Sequence, residues 1–190
     1  MDIVTAINQL GAEVTRIVPD LNSGGCCVFA AALAEQMTSV GVHDVSVVVV
    51  APDFEFDDDM SSLTDARQKI RERKLNTFSK KSWNDVGVWF YHVGVRFRHS
   101  GALVCCDSSG VSHNPETILQ YEHCTLYDGH LSVAEACAIA NEDYGWSKLF
   151  DRCHIPHINK MVKYHINRHR ISDPLPCYCL LYTSPSPRDS

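Results

Sequence analysis

Six residues, Val45-Ser46-Val47-Val48-Val49-Val50, constrain this chain more than any other segment. Five of the six are valine, whose branched Cβ loses rotamer freedom in a helix and packs well on a pleated surface. The run predicts a strand apolar enough to lie inside a sheet. The segments before it are helical. Ile3, Ile7, Leu10, Val14 and Ile17 fall on one stripe of an N-terminal helix. A loop of turn formers, Pro19-Asp20-Leu21-Asn22-Ser23-Gly24-Gly25, separates it from a second helix over about Cys26 to Val40, with Gly41 as its C′ stop.

Beyond the strand, residues 53–59 hold five acids, and basic residues follow at Arg67, Lys69, Arg71, Arg73 and Lys74. The stretch 53–83 reads as a charged insertion: an acidic loop, a helix near 62–75, then a loop. Its charge runs read as a solvated face. Residues 86–97 and 102–107 predict two further strands, and Arg98-His99-Ser100-Gly101 is the turn of a hairpin. The remainder reads as helical. Asn114-Pro115 opens a short helix, Ser132-x-x-Glu135 is a capping box for one near 133–142, and Pro156 starts a third that runs to about Asn167. The order predicts an α+β fold, with a helix packed on a small antiparallel sheet and a helical C-terminal part. A single domain over 1–178 is expected.

With 190 residues and a hydrophobic share of 45%, such a domain can bury a core. The net charge of −6 argues against a nucleic-acid partner. No apolar run approaches membrane-spanning length, and residues 1–18 lack the basic start of a secretory signal. A cytoplasmic location is expected, the host cytoplasm if the chain is viral. The nine cysteines include the adjacent pairs Cys26-Cys27 and Cys105-Cys106, which do not form a secreted disulfide pattern. They read as mostly reduced thiols. Ten histidines make zinc the obvious rival, but cysteine pairs at finger or ribbon spacing are missing, so neither metal nor cofactor is expected. Residues 179–190 (CLLYTSPSPRDS) resemble a translated sequencing adapter and are set aside as a non-native tail.

Chemistry points to Cys26. It follows Gly24-Gly25 at a helix start, where the dipole and unpaired N–H groups favour a thiolate. The glycines permit a tight turn that leaves the sulfur open to a cleft, and the same N–H groups can hold an oxyanion, with Gly25 and Asn22 as partners. The competing reading is a buried, inert cysteine. The hairpin adds a base. With the turn centred between His99 and Ser100, partners sum to 199, so His92 faces Asp107. Opposed Cβ atoms lie about 4.5–5.5 Å apart, which lets the carboxylate orient the imidazole while its other nitrogen serves a nucleophile. A one-residue bulge would turn the two apart.

Cys26 followed by Ala30 and Gly41, then His92-Val93-Gly94-Val95 with Asp107 fifteen residues on, resembles the papain-like and transglutaminase-like cysteine enzymes. The chain is closer still to small uncharacterised proteins of phages and large DNA viruses. Those share a Gly-Gly-Cys helix start, a His-Val strand, Asp-x-x-Gly (Asp107 to Gly110) and a late Trp followed by Phe-Asp-Arg and Ile-Pro, here Trp146, Phe150-Asp151-Arg152 and Ile155-Pro156. The pattern usually has Gly after the nucleophile where this chain has Cys27, which leaves Cys27 as the alternative nucleophile. The resemblance implies a papain-like core and a Cys26-His92-Asp107 hydrolase, peptidase or amidase-like, that cleaves a peptide or protein amide through a thioester. Two alternatives stay open: an acyl transferase of transglutaminase type, and a non-catalytic binding module of viral origin that keeps the fold.

Overall fold

A computed structural model describes residues 2–52, 60–112, 124–142 and 150–169. The acidic loop at 53–59, the expected helix at Asn114-Pro115, Trp146 and the tail at 179–190 lie outside these residues. The fold is α+β. Helices α1 (Ile3–Ile17) and α2 (Cys26–Ser39) precede strand β1 (Ser46–Pro52), and α3 (Leu63–Glu72) and α4 (Lys80–Asn84) follow it. Strands β2 (His92–His99), β3 (Ala102–Asp107), β4 (Gly110–Ser112) and β5 (Cys124–Gly129) come next, then α5 (Val133–Asn141) and α6 (Ile155–His169). The strands form one antiparallel sheet in the order β4-β3-β2-β1-β5. The valine run thus lies inside the sheet, between β2 and β5.

The helices pack on one face. Ile7, Leu10 and Val14 of α1, Phe29, Leu33 and Met37 of α2, and Ile158, Val162 and Ile166 of α6 share a core with Val47, Val49, Val93, Val95 and Phe97. On the opposite face Val50 and Cys105 form a smaller cluster with Cys124 and Leu126. Two helix ends follow their sequence signals closely. Gly41 has φ +87°, and the N–H of Val42 reaches back to the Met37 carbonyl at 3.0 Å, which closes α2. The Ser132–Glu135 capping box is formed at the start of α5.

Several expectations are corrected. The strand expected over 86–97 begins only at His92. Gly87, at φ +93°, ends α4 with a bond from the Val88 N–H to the Trp83 carbonyl, so the apolar residues after it cap a helix instead of joining the sheet. The stretch at 53–83 is no mere solvated appendage. It ends in α4 where a loop was expected, and Leu63, Ala66, Ile70 and Trp83 are fully buried in the main core. Strands β4 and β5 appear where only helices were expected. Both are short strands at the sheet edges, without a long apolar alternation to reveal them.

The hairpin register also differs. His99 pairs with Ala102 and Val95 with Cys106, so partners sum to 201, not 199. Ser100 and Gly101, at φ +50° and +84°, are the two loop residues of a tight turn, which places its centre one residue later than expected. The register continues to set Asp107 opposite Gly94, with His92 one diagonal step away. A shift of two residues on the partner strand is one full side-chain period, so His92 and Asp107 still share a face.

Candidate active site

His92 is the first residue of β2 and Asp107 the last of β3, so the antiparallel pairing brings both to the same end of the sheet. Their side chains meet across the diagonal: Nε2 of His92 lies 2.9 Å from Oδ2 of Asp107. Diagonal neighbours are within reach of long side chains, and Gly94, which faces Asp107, puts no side chain between them. The other carboxylate oxygen, Oδ1, accepts the backbone N–H of Ser109 at 2.7 Å. The carboxylate is therefore fixed at both oxygens.

Asp107-Ser108-Ser109-Gly110 is the turn between β3 and β4, and Gly110 at φ +112° supplies the conformation that lets Asp107 pair with it. Helix α1 grips this turn from behind. A Cβ on Gly11 would lie 2.7 Å from the Ser108 carbonyl oxygen. Oδ1 of Asn8 accepts the Val111 N–H at 2.8 Å. Neither Asn8 nor Gly11 was singled out from the sequence. A glycine inside an apolar helical stripe is the one available signal that a backbone approaches there.

Cys26 completes the group. It is the first residue of α2, and it lies close enough to His92 to help raise the pKa of the imidazole. Because Nε2 is taken by Asp107, Nδ1 is the ring nitrogen left for the sulfur. Burial of the ring works against its cation, but the hydrogen bond with Asp107 and the nearby Cys26 outweigh it and push the His92 pKa up to about 10. Burial likewise opposes the Asp107 carboxylate, and the bond with His92 overcomes it, holding the carboxyl below its ordinary range.

The helix start is built as the residues suggest, but for two different reasons. Gly24 takes φ +135°, a backbone that side-chain-bearing residues rarely adopt. Gly25 is helical in its angles, and its role is room: a Cβ there would lie 2.5 Å from the Phe150 ring and 3.0 Å from Leu21. The N-cap of α2 is Gly25, which has no side chain to cap the N–H groups of the first turn. Asn22 stands beside it, its Oδ1 held by the Ser108 hydroxyl at 2.9 Å. This bond ties the loop before Cys26 to the turn after Asp107. Lys80 of α4 is near enough to act on Cys27 electrostatically, and no local pattern in the sequence singles it out.

The two adjacent cysteines are both buried but have different partners. Cys27 turns into the core, where its thiol points at the carbonyls of Gly24 and Ala136, both at 3.5 Å. Burial, then the neighbouring Cys26, raise its pKa far above the ordinary thiol range. Such a thiol is a packing group. One expectation for Cys26 is corrected: the sulfur does not lie open, for the residue is only 5% exposed.

No family model matches this chain, and no curated protein or solved structure does so either. What the arrangement can do therefore rests on its own chemistry. A thiol stands near an imidazole of raised basicity, which is bonded to a carboxylate fixed at both oxygens.

Proposed function

We propose that the protein is a cysteine hydrolase, peptidase or amidase-like, with Cys26 as nucleophile, His92 as base and acid, and Asp107 as orienter. The 2.9 Å His92–Asp107 pair, with Cys26 at the start of α2 beside the imidazole, carries this reading. His92 accepts the thiol proton at Nδ1, a transfer its raised basicity favours. The sulfur attacks the carbonyl carbon, and the oxyanion takes bonds from the first-turn N–H groups of α2, with the Asn22 amide beside them. The imidazolium then gives its proton to the leaving amine, and water, activated by His92, releases the acyl group from the thioester. The resemblance to papain-like and transglutaminase-like enzymes agrees with this order of events and leaves transfer to an amine as the variant outcome.

Burial of Cys26 favours a second reading, a non-catalytic module that keeps the site as part of its core. A small haloacetamide with mass-spectrometric mapping of each labelled cysteine separates the two. Rapid modification of Cys26, abolished in its rate advantage by His92→Ala, supports the hydrolase. Modification of Cys26 no faster than that of exposed Cys153 supports the binding module.

A further inference from the structure

We propose that Asp151, Cys153 and His154 form a binding site for a zinc ion, apart from the Cys26 row. The three donor atoms, a carboxylate oxygen, the Cys153 sulfur and an imidazole nitrogen, all lie within 4.8 Å of one another. Metal–ligand bonds of about 2.0–2.3 Å set tetrahedral donors roughly 3.3–3.8 Å apart, so the side chains need to close by no more than about 1.5 Å. Asp151 and Cys153 are exposed and His154 half-buried, which gives the rotamers that freedom.

The local backbone explains why three neighbours in sequence converge. Residues Arg152–His154 form one turn of 3-10 helix that leads into α6. In that tight winding, Asp151 and His154 are three residues apart and overlay along the axis. Asp151 accepts the Cys153 N–H at 2.9 Å, which folds its carboxylate back over the turn. Arg152, the cation within the motif, is turned away: its guanidinium donates to the Asn141 carbonyl. No positive side chain of this turn therefore faces the donor atoms except His154 itself, which ligates as the neutral ring.

The donor set selects the ion. Thiolate with imidazole and one carboxylate suits zinc, whereas magnesium and calcium take oxygen donors. The thiol proton leaves to solvent on binding, and the two anionic ligands balance the charge of the ion. Exposure leaves the fourth position to water. Finger and ribbon spacings are absent from this stretch, which is why the sequence alone did not point here. Phe150, the residue before the site, is the ring that packs against Gly25 at the start of α2. Zinc would thus fix the turn that positions that ring.

The test uses the full chain, reduced and stripped with a chelator, then titrated with Co²⁺ and with Zn²⁺ in competition with a chromogenic chelator. One ion per chain, with a thiolate-to-cobalt charge-transfer band, is expected. Cys153→Ser should remove that band, and Cys153→Ser and His154→Ala should each weaken binding by at least about tenfold. Asp151→Asn, which keeps the backbone bond to Cys153, should weaken it as well. Cys26→Ala should bind as the parent does. Binding that survives Cys153→Ser, that is lost in Cys26→Ala, or that never reaches one ion per chain overturns the proposal. Far-ultraviolet circular dichroism of each variant excludes loss of fold as the cause.

Discussion

Two largely buried ion pairs stand at different places in this molecule. At the end of the sheet, His92 meets Asp107 at 2.9 Å, and between α3 and α5, Arg67 meets Glu135 at 3.0 Å. Every group around the second pair is committed to the fold. Arg67 also donates to the His130 carbonyl and lies over the Trp83 ring, while Glu135 accepts from the backbone and hydroxyl of Ser132. The first pair differs in one respect. After Asp107 has taken Nε2, the imidazole keeps a second nitrogen, and Cys26 is close enough to act on the ring. Burial and charge are alike at the two places, so neither sets them apart. The second ring nitrogen of His92, on an imidazole beside Cys26, does.

Substitutions can break this comparison. The largest effect should fall on chemistry at the sheet end: His92→Ala should slow modification of Cys26 near neutral pH by about 100-fold, the range of a lost general base. Equal rates in parent and variant, read by mapped alkylation, would remove the distinction between the pairs. Next comes pH. The His92 pKa is raised from 6.5 to about 10, so the stability it adds is fully present below pH 6.5 and is lost as pH rises through 10. The loss has an upper bound of about 5 kcal/mol. Urea midpoints between pH 6 and 10 should fall in the parent and stay flatter in His92→Gln.

Arg67→Ala leaves the Glu135 carboxylate buried without its cation, which costs about 3 kcal/mol. It should leave the pH dependence of Cys26 modification where it was, and a shift in that profile would mean the two places are coupled. Gly11→Ala should cost about 1–3 kcal/mol, because the new methyl meets backbone oxygen at Ser108. Unlike Arg67→Ala, it should also slow Cys26 modification, since it displaces the turn that carries Asp107. The smallest effect is expected for Cys27→Ala, about 1 kcal/mol from lost packing. Retention of rapid labelling at Cys26 in this variant is the sharper readout, and its disappearance would return Cys27 to the role of nucleophile.

The sequence made the parts of the site legible through short-range signals. Gly24-Gly25 before Cys26 marked the helix start, the valine run marked an interior strand, and Ser100-Gly101 marked a hairpin. The register was wrong by two residues because loop length fixes it, and the sequence alone does not say whether His99 belongs to the strand or the loop. The pairing of His92 and Asp107 survived that error only because two is the period of a strand. The supports of the site were not legible. Asn8, Gly11 and Ser108 act across about a hundred residues of chain, as the Asn8–Val111 bond shows, and no local pattern encodes a contact of that range. The burial of Cys26 was missed for a related reason: Phe150, the ring that packs against Gly25 just before it, comes from far along the chain.

The packing of α1 against α6 has a consequence for how the protein is made. Glu13 and His165 bond at 2.7 Å across 152 residues of sequence, and α1 is also the helix that grips the Asp107 turn. On the ribosome α1 and α2 emerge first, so Cys26 is synthesised long before Asp107, and Asp107 before α6. Long-range contacts of this kind form last, once the chain that separates them has been released. A nascent or truncated chain therefore carries the thiol without its base held in place. The proposed site assembles only after the strands carrying His92 and Asp107 have followed the helix that begins at Cys26.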